Sequence, residues 1–91
     1  MQEPFISVVI PTYNSENFIT KTLETVLSQT YNKYEVIVSD DGSTDNTVET
    51  ARAVFDRYGH GENKILINSH EGSGAARNKG IKSASGDWIS F

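Results

Sequence analysis

Two acid- and turn-rich segments hold the residue types best suited to gripping a small ligand. Pro11-Thr12-Tyr13-Asn14 follows the apolar run Ile6-Ser7-Val8-Val9-Ile10, and Asp40-Asp41-Gly42-Ser43-Thr44-Asp45 follows Tyr34-Glu35-Val36-Ile37-Val38. Tyr13 offers a flat face on which a ring can stack while neighbouring N–H groups take polar atoms. An ionised carboxylate only accepts hydrogen bonds, which suits an imide or ribose donor. Adjacent like charges repel and desolvation is expensive. One of Asp40 and Asp41 is therefore expected to turn outward or cap the next helix, leaving the other for a ligand. Plain readings exist beside these: Tyr13 as a half-buried rim residue, and Asp-Asp-Gly-Ser as an ordinary turn and cap.

A third segment is Gly72-Ser73-Gly74-Ala75-Ala76-Arg77-Asn78-Lys79-Gly80. Gly and Ala let a backbone approach closely, Arg77 brings a rigid fork of donors, and Asn78 supplies both a donor and an acceptor. It is neither a dinucleotide fingerprint, since Arg77 stands where the third glycine belongs, nor a Walker loop, since Gly-Lys-Ser/Thr is absent. Close helix–sheet packing accounts for Ala75 and Ala76 without any ligand. His60 lies between two glycines and reads as a solvated loop residue. His70 falls nearer the presumed ligand edge but, with no partner visible in the sequence, also reads as a plain loop residue.

Charge narrows the ligand class. The net charge of −4 argues against nucleic acid as the main partner. Between Gly72 and Gly86, however, Arg77, Lys79 and Lys82 occur with no acid, leaving −7 on the remainder. A positive stretch on an acidic domain suits a small anion, although lysines late in a helix also complement its dipole. Cysteine is absent, which removes disulfides and thiolate metal sites and fits a reducing compartment. Ninety-one residues make one domain at most, with a thin core. No apolar run is long enough to span a bilayer and no signal peptide precedes Pro4, so a soluble, cytoplasmic protein is expected.

The elements that must position these segments alternate as β-α-β-α-β-α-β. Residues 5–10 form a nearly unbroken apolar strand, as expected of one buried on both faces. Asn14 or Ser15 is placed to cap the next helix, with Glu16 in its first turn. Ile19, Leu23, Val26 and Leu27 share a face of that helix, which should end near Gln29. A second strand covers 34–39. Ser43 or Thr44 caps a helix buried through Val48, Ala51, Phe55 and Tyr58 and stopped by Gly59. Residues 65–67 form a short strand. Residues 74–84 form a helix of small residues, with Ala75, Ala76, Ile81 and Ala84 inward and Gly86 as its stop. Trp88 begins a fourth strand. This alternation predicts an α/β, Rossmann-like parallel sheet with right-handed crossovers. With the first strand central, strands two and three on one side and four on the other, the ligand crevice opens beside Pro11–Asn14.

Taken together, Val8–Asn14, Val38–Asp45 and Gly74–Gly80 resemble the inverting family 2 glycosyltransferases of GT-A fold. Leu27-Ser28-Gln29-Thr30-Tyr31 matches the end of that family's first helix. The three motifs occur in the family's order and spacing across essentially the whole chain. The resemblance implies transfer of a sugar from a nucleotide sugar, a UDP-sugar in the usual case, to an acceptor hydroxyl. It implies that Pro11, Thr12 and Tyr13 hold uridine, with Tyr13 against the uracil. Asp41 would accept from the imide N–H, Asp40 would support the loop, and Arg77 or Asn78 would close over base or ribose. Where the family usually reads Gly-Leu-Ser before Ala-Arg-Asn, this chain has Gly72-Ser73-Gly74. The family's Asp-x-Asp motif for Mn²⁺ or Mg²⁺ and its general base follow the strand that begins at Trp88. Both are expected beyond Phe91, and Asp87 precedes that strand and is no substitute.

The chain is therefore expected to be the N-terminal nucleotide-binding part of a truncated glycosyltransferase domain, covering residues 1–91. Alone it should be inactive and bind no metal tightly, it could self-associate through its cut edge, and its parent could be peripheral to a membrane. A receiver-like phosphoacceptor module and a non-catalytic scaffold are the alternatives. The receiver reading is weakened because the acidic pair follows the second strand and no later strand-end Asp or Lys completes the set.

Overall fold

The computed structural model describes residues 3–58 and 62–91. Along them run β1 (Ile6–Thr12), α1 (Ile19–Leu27), β2 (Tyr34–Asp40), α2 (Thr47–Tyr58), β3 (Glu62–Ile67), α3 (Ser73–Ser83) and β4 (Trp88–Ser90). The strands pair in parallel in the order β3-β2-β1-β4, so the sequence-based α/β topology holds, with β1 as the strand where the order reverses.

Every residue of β2 is buried, as its central place demands. On one face, α1 and α2 close over Val36 and Val38 through Ile19, Leu23, Leu27, Ala51 and Val54. Full burial of each large aliphatic side chain there contributes about 1.5–3 kcal/mol. On the other face α3 lies close against β1 and β2, with Ala76 and Gly80 buried one helical turn apart. A Cβ at Gly80 would come within 2.5 Å of the Val9 Cγ1 atom, so this contact requires glycine. The Ser39 hydroxyl donates to the Ala76 carbonyl at 2.6 Å and ties the helix to the sheet.

Several boundaries differ from the sequence-based reading. β1 runs on through Pro11 and Thr12, because the ladder to β2 continues with Pro11 opposite Ser39 and Thr12 opposite Asp40. β4 pairs only with Ile6–Val8, so the missing N–H of Pro11 interrupts no bond to that strand. β3 begins at Glu62, where pairing with Glu35 starts. Neither Asn14 nor Ser15 caps α1 through its side chain, and Glu16 lies before its first turn. Phe18 occupies the cap position, after a turn in which the Ser15 carbonyl accepts from Phe18 and Ile19 N–H, both at 2.9 Å.

α2 begins at Thr47, not beside Ser43 or Thr44, because Ser43 bonds back to Asp40 while Asp45 accepts from the Thr47 N–H at 3.0 Å. Its buried face is Thr47, Ala51 and Val54. Phe55 is partly buried and Tyr58 exposed, correcting the predicted stripe. In α3 the inward positions are Ala76 and Gly80, with Ala75 and Ile81 only partly covered and Ala84 past the helix end. The predicted stop at Gly59 and the loop residue His60 lie outside the described residues.

At the sheet's amino end, Glu35 is fully buried although it sits in a strand that reads as apolar. Its Oε2 accepts from the Ser7 hydroxyl at 2.5 Å, the Ser85 N–H at 2.7 Å and the Ser85 hydroxyl at 3.0 Å. The Lys64 ammonium stands 3.5 Å from Oε1. Burial works to raise the pKa of this carboxyl, but the Ser7 and Ser85 donors and the Lys64 charge outweigh it, and the net shift is downward. The network pins the chain before β4 onto β1 and β2.

Candidate nucleotide site at the carboxyl ends of β1 and β2

The register that sets Thr12 beside Asp40 also builds the candidate site. The Thr12 hydroxyl donates to Asp40 Oδ1 at 2.7 Å. The Ser43 hydroxyl gives the same oxygen a bond of 2.6 Å, and the Ser43 N–H reaches Oδ2 at 2.7 Å. Asp40 is fully buried and supports the loop after β2. Gly42, at φ +79°, turns that loop in a region where a side chain would be strained.

Asp41 is buried as well, so neither member of the acidic pair turns outward. The expected choice between them does not arise, because each carboxylate has its own donors. Asp41 Oδ1 accepts from the Glu71 N–H at 2.9 Å, Oδ2 accepts from the Gly72 N–H at 3.1 Å, and the His70 Nδ1 lies 2.9 Å from Oδ2. The Glu71 N–H is the strongest influence holding the Asp41 carboxyl below the usual carboxylate range. Burial opposes it, and the Gly72 N–H and His70 reinforce it. The carboxylate thus stays charged at neutral pH.

The loop after β1 is knitted to the loop after β2. The Asn14 N–H donates to the Ser43 hydroxyl and its Oδ1 accepts from the Thr44 N–H, both at 2.8 Å. The Ser15 N–H donates to the Thr47 hydroxyl at 2.7 Å. Glu16 and Asp45 exchange side-chain-to-backbone bonds between the same loops: Asp45 Oδ2 accepts from the Glu16 N–H at 3.3 Å and Glu16 Oε2 from the Asn46 N–H at 3.2 Å. Asn14 takes φ +47° to make its contacts, a conformation Asn tolerates better than most residues. Of the predicted caps, Asn14, Ser43 and Thr44 join the two loops, and the Ser15 hydroxyl donates to the Tyr13 carbonyl within its own loop at 3.2 Å.

Pro11, Thr12, Tyr13, Asp41, His70, Gly72 and Ser73 enclose a cavity of about 230 Å³ at this edge. Larger clefts lie elsewhere, among them one of about 290 Å³ beside Glu24, Leu27, Ser28 and Tyr58, but that one includes no strand-end residue. Tyr13 is 43% exposed, and its ring stacks on the His70 imidazole with centroids 4.4 Å apart and planes 25° from parallel. His70 is the member that the sequence reading passed over. Its partners, Tyr13 and Asp41, directly follow β1 and β2, far away in the chain. The one available signal was its place after a strand, at the edge that drew attention to Asp40.

Of the residues singled out from the sequence, Pro11, Thr12, Tyr13 and Asp41 meet at the cavity, with Asp40 beneath them. Arg77 and Asn78 do not line it. The Arg77 guanidinium lies over the Phe91 ring, 5.6 Å from its centroid, and Asn78 faces solvent. Lys79 of the basic stretch is 3.4 Å from Glu71. No cluster of His, Cys, Asp or Glu able to hold a metal occurs among the described residues. The Asp40 and Asp41 carboxylate oxygens already take hydroxyl or backbone N–H donors, so the described residues do not fit Mn²⁺ or Mg²⁺.

The glycosyl transferase family 2 profile matches residues 7–91. This chain belongs to that family. Glycosyltransferase AglE of Haloferax volcanii is 50% identical over 91 residues, covering 97% of this chain and 29% of that protein. The Escherichia coli UDP-Glc:alpha-D-GlcNAc-diphosphoundecaprenol beta-1,3-glucosyltransferase WfgD is 37% identical over 92 residues, covering all of this chain and 35% of that one. Among solved structures, the Pyrobaculum calidifontis mannosyltransferase PcManGT, in complex with GDP-Man and Mn²⁺, superposes with a TM-score of 0.91 at 27% identity. That match covers 98% of this chain and 27% of PcManGT. Staphylococcus aureus TarS with UDP-GlcNAc gives 0.79 at 33% identity, covering 93% and 25%. The fold of this family 2 chain is the GT-A arrangement of these structures, and the chain spans roughly a third or less of each of these four relatives. Among the described residues no helix is long and apolar enough to cross a membrane.

Proposed function

We propose that this chain is the nucleotide-binding part of a glycosyltransferase that moves a sugar from a UDP-sugar to an acceptor hydroxyl. One observation carries the reading: a cavity at the strand ends sets the Tyr13 ring beside Asp41, a carboxylate kept charged by its own donors. A flat nucleobase with a ring N–H would stack on Tyr13 and donate to Asp41, while Pro11 and Thr12 form the wall and Asp40 holds the loop. The UDP and UDP-GlcNAc complexes of TarS support uridine as the base. The transfer step, its metal and its general base are assigned to no residue here. The receiver-like alternative loses support because Asp40 and Asp41 both give their oxygens to internal donors.

The test is a ¹H–¹⁵N NMR titration with UDP in the presence of Mg²⁺, with ADP as control. Saturable shifts specific to UDP and centred on Tyr13, Asp41 and His70 are expected. A dispersed spectrum indifferent to UDP would overturn the reading. The same reading extends to the β4 edge, where Trp88, Ile89 and Phe91 leave apolar surface exposed. That edge is proposed to drive self-association, and sedimentation showing a monomer at all concentrations would refute it.

A further inference from the structure

His70 makes the two contacts that the proposed reading assigns to a nucleobase. Its imidazole is a flat heterocycle stacked on Tyr13 at 4.4 Å, and its Nδ1 is 2.9 Å from Asp41 Oδ2. At that separation no third ring fits between the two, so a base cannot join the stack from inside. Resting on the proposed nucleotide site, we infer that His70 is an internal stand-in for the base. It occludes the Tyr13 face and Asp41 in the free protein, and an incoming nucleobase must displace it.

The surroundings allow that exchange. The loop backbone is held independently of the His70 ring, by Glu71 and Gly72 N–H groups on Asp41 and by the Asn68 N–H on the Asp40 carbonyl at 2.9 Å. The His70 side chain itself is 61% exposed, so it can rotate into solvent while the loop stays in place. Apparent affinity is then intrinsic affinity multiplied by the open population. Only a ligand that restores both the stack and the N–H to carboxylate bond repays the displacement in full. The displacement lowers the affinity of every base by the same factor, so discrimination between uracil, which has a ring imide, and adenine, which has none, rests on Asp41.

The experiment compares UDP and ADP binding to the wild-type chain, His70→Ala and His70→Phe by calorimetry, with wild-type imidazole resonances followed by NMR. His70→Ala is expected to bind UDP about three- to tenfold more tightly, from loss of a competing stack and hydrogen bond. Its preference for UDP over ADP should stay the same, because the closed state competes equally with both. His70→Phe, which keeps a ring on Tyr13, should show less of the gain. In the wild type, contacts between the His70 and Tyr13 rings should disappear at UDP saturation. Equal or weaker UDP binding by His70→Ala, or ring contacts that persist at saturation, would overturn the inference and leave the nucleotide site standing. Failure of all three proteins to bind UDP would overturn the nucleotide site, and the inference with it.

Discussion

The two ends of the parallel sheet each bury carboxylates, and they use them differently. At the amino end, Glu35 gathers Ser7, Ser85 and Lys64 and fastens the chain ahead of β4 to the sheet. At the carboxyl end, Asp40 is locked in the same manner, but Asp41 borders a cavity beside an exposed aromatic pair. A buried, hydrogen-bonded carboxylate is thus not evidence of a ligand. What separates the ends is access. Glu35 is sealed between strands, whereas Asp41 can trade its His70 contact for another donor without losing the backbone N–H groups that keep it charged.

This contrast can be broken by substitution. The largest expected effect is on stability, from Glu35→Ala, which strands the Ser7 and Ser85 donors and should cost about 2–4 kcal/mol. Urea unfolding measures it, and UDP affinity of the folded fraction should change by less than about twofold. Asp41→Asn should reverse the pattern. UDP affinity is expected to fall about tenfold, from loss of a charge-assisted bond, with a smaller stability change than at Glu35. If calorimetry finds UDP affinity lowered equally by both, the division between a structural and a binding end is wrong.

Acid should weaken both ends together. Glu35 and Asp41 have lowered pKa values in the folded chain, as do Asp45 and Glu71. The unfolded chain therefore binds protons first as pH falls. Their contribution is complete above the ordinary carboxylate range of about 4 and is lost as pH drops through the lowered folded values. Thermal midpoints should be flat from about pH 7 to 5.5 and decline below about 4.5. Glu35→Gln and Asp41→Asn should each make that decline shallower. The smallest effect is expected from Arg77→Ala. Its guanidinium lies over Phe91 and not in the cavity, so UDP affinity should shift by less than about twofold. A tenfold loss in the same titration would return Arg77 to the site.

Much of the fold was legible because alternating apolar runs and amphipathic stripes depend on local spacing. Ile19, Leu23 and Leu27 are buried where the 3.6-residue period places them, and β1 and β2 lie where their β-branched runs occur. The capping residues were misread for the opposite reason. Asn14, Ser15, Ser43 and Thr44 are good caps by type, but Asn14 meets Ser43 and Thr44 across about thirty positions of sequence, while the hydroxyls of Ser43 and Ser15 donate within their own loops to Asp40 and Tyr13. Glu35 escaped notice because a charged residue in an apolar strand is intelligible only once Ser7, Lys64 and Ser85 surround it.

The sequence by itself determined the element order, the parallel topology, the family motifs and the strand edge at which Tyr13, Asp40 and Asp41 stand. Hydrophobic periodicity and the handedness of crossovers are sufficient for that. Only the tertiary structure decided which of those residues share a cavity, that both aspartates are buried and satisfied, that Arg77 faces Phe91, and that His70 joins Tyr13 and Asp41. Those outcomes depend on register and on loop geometry, where hydrogen-bond partners are chosen over distances of a few ångströms and no local pattern in the chain specifies them.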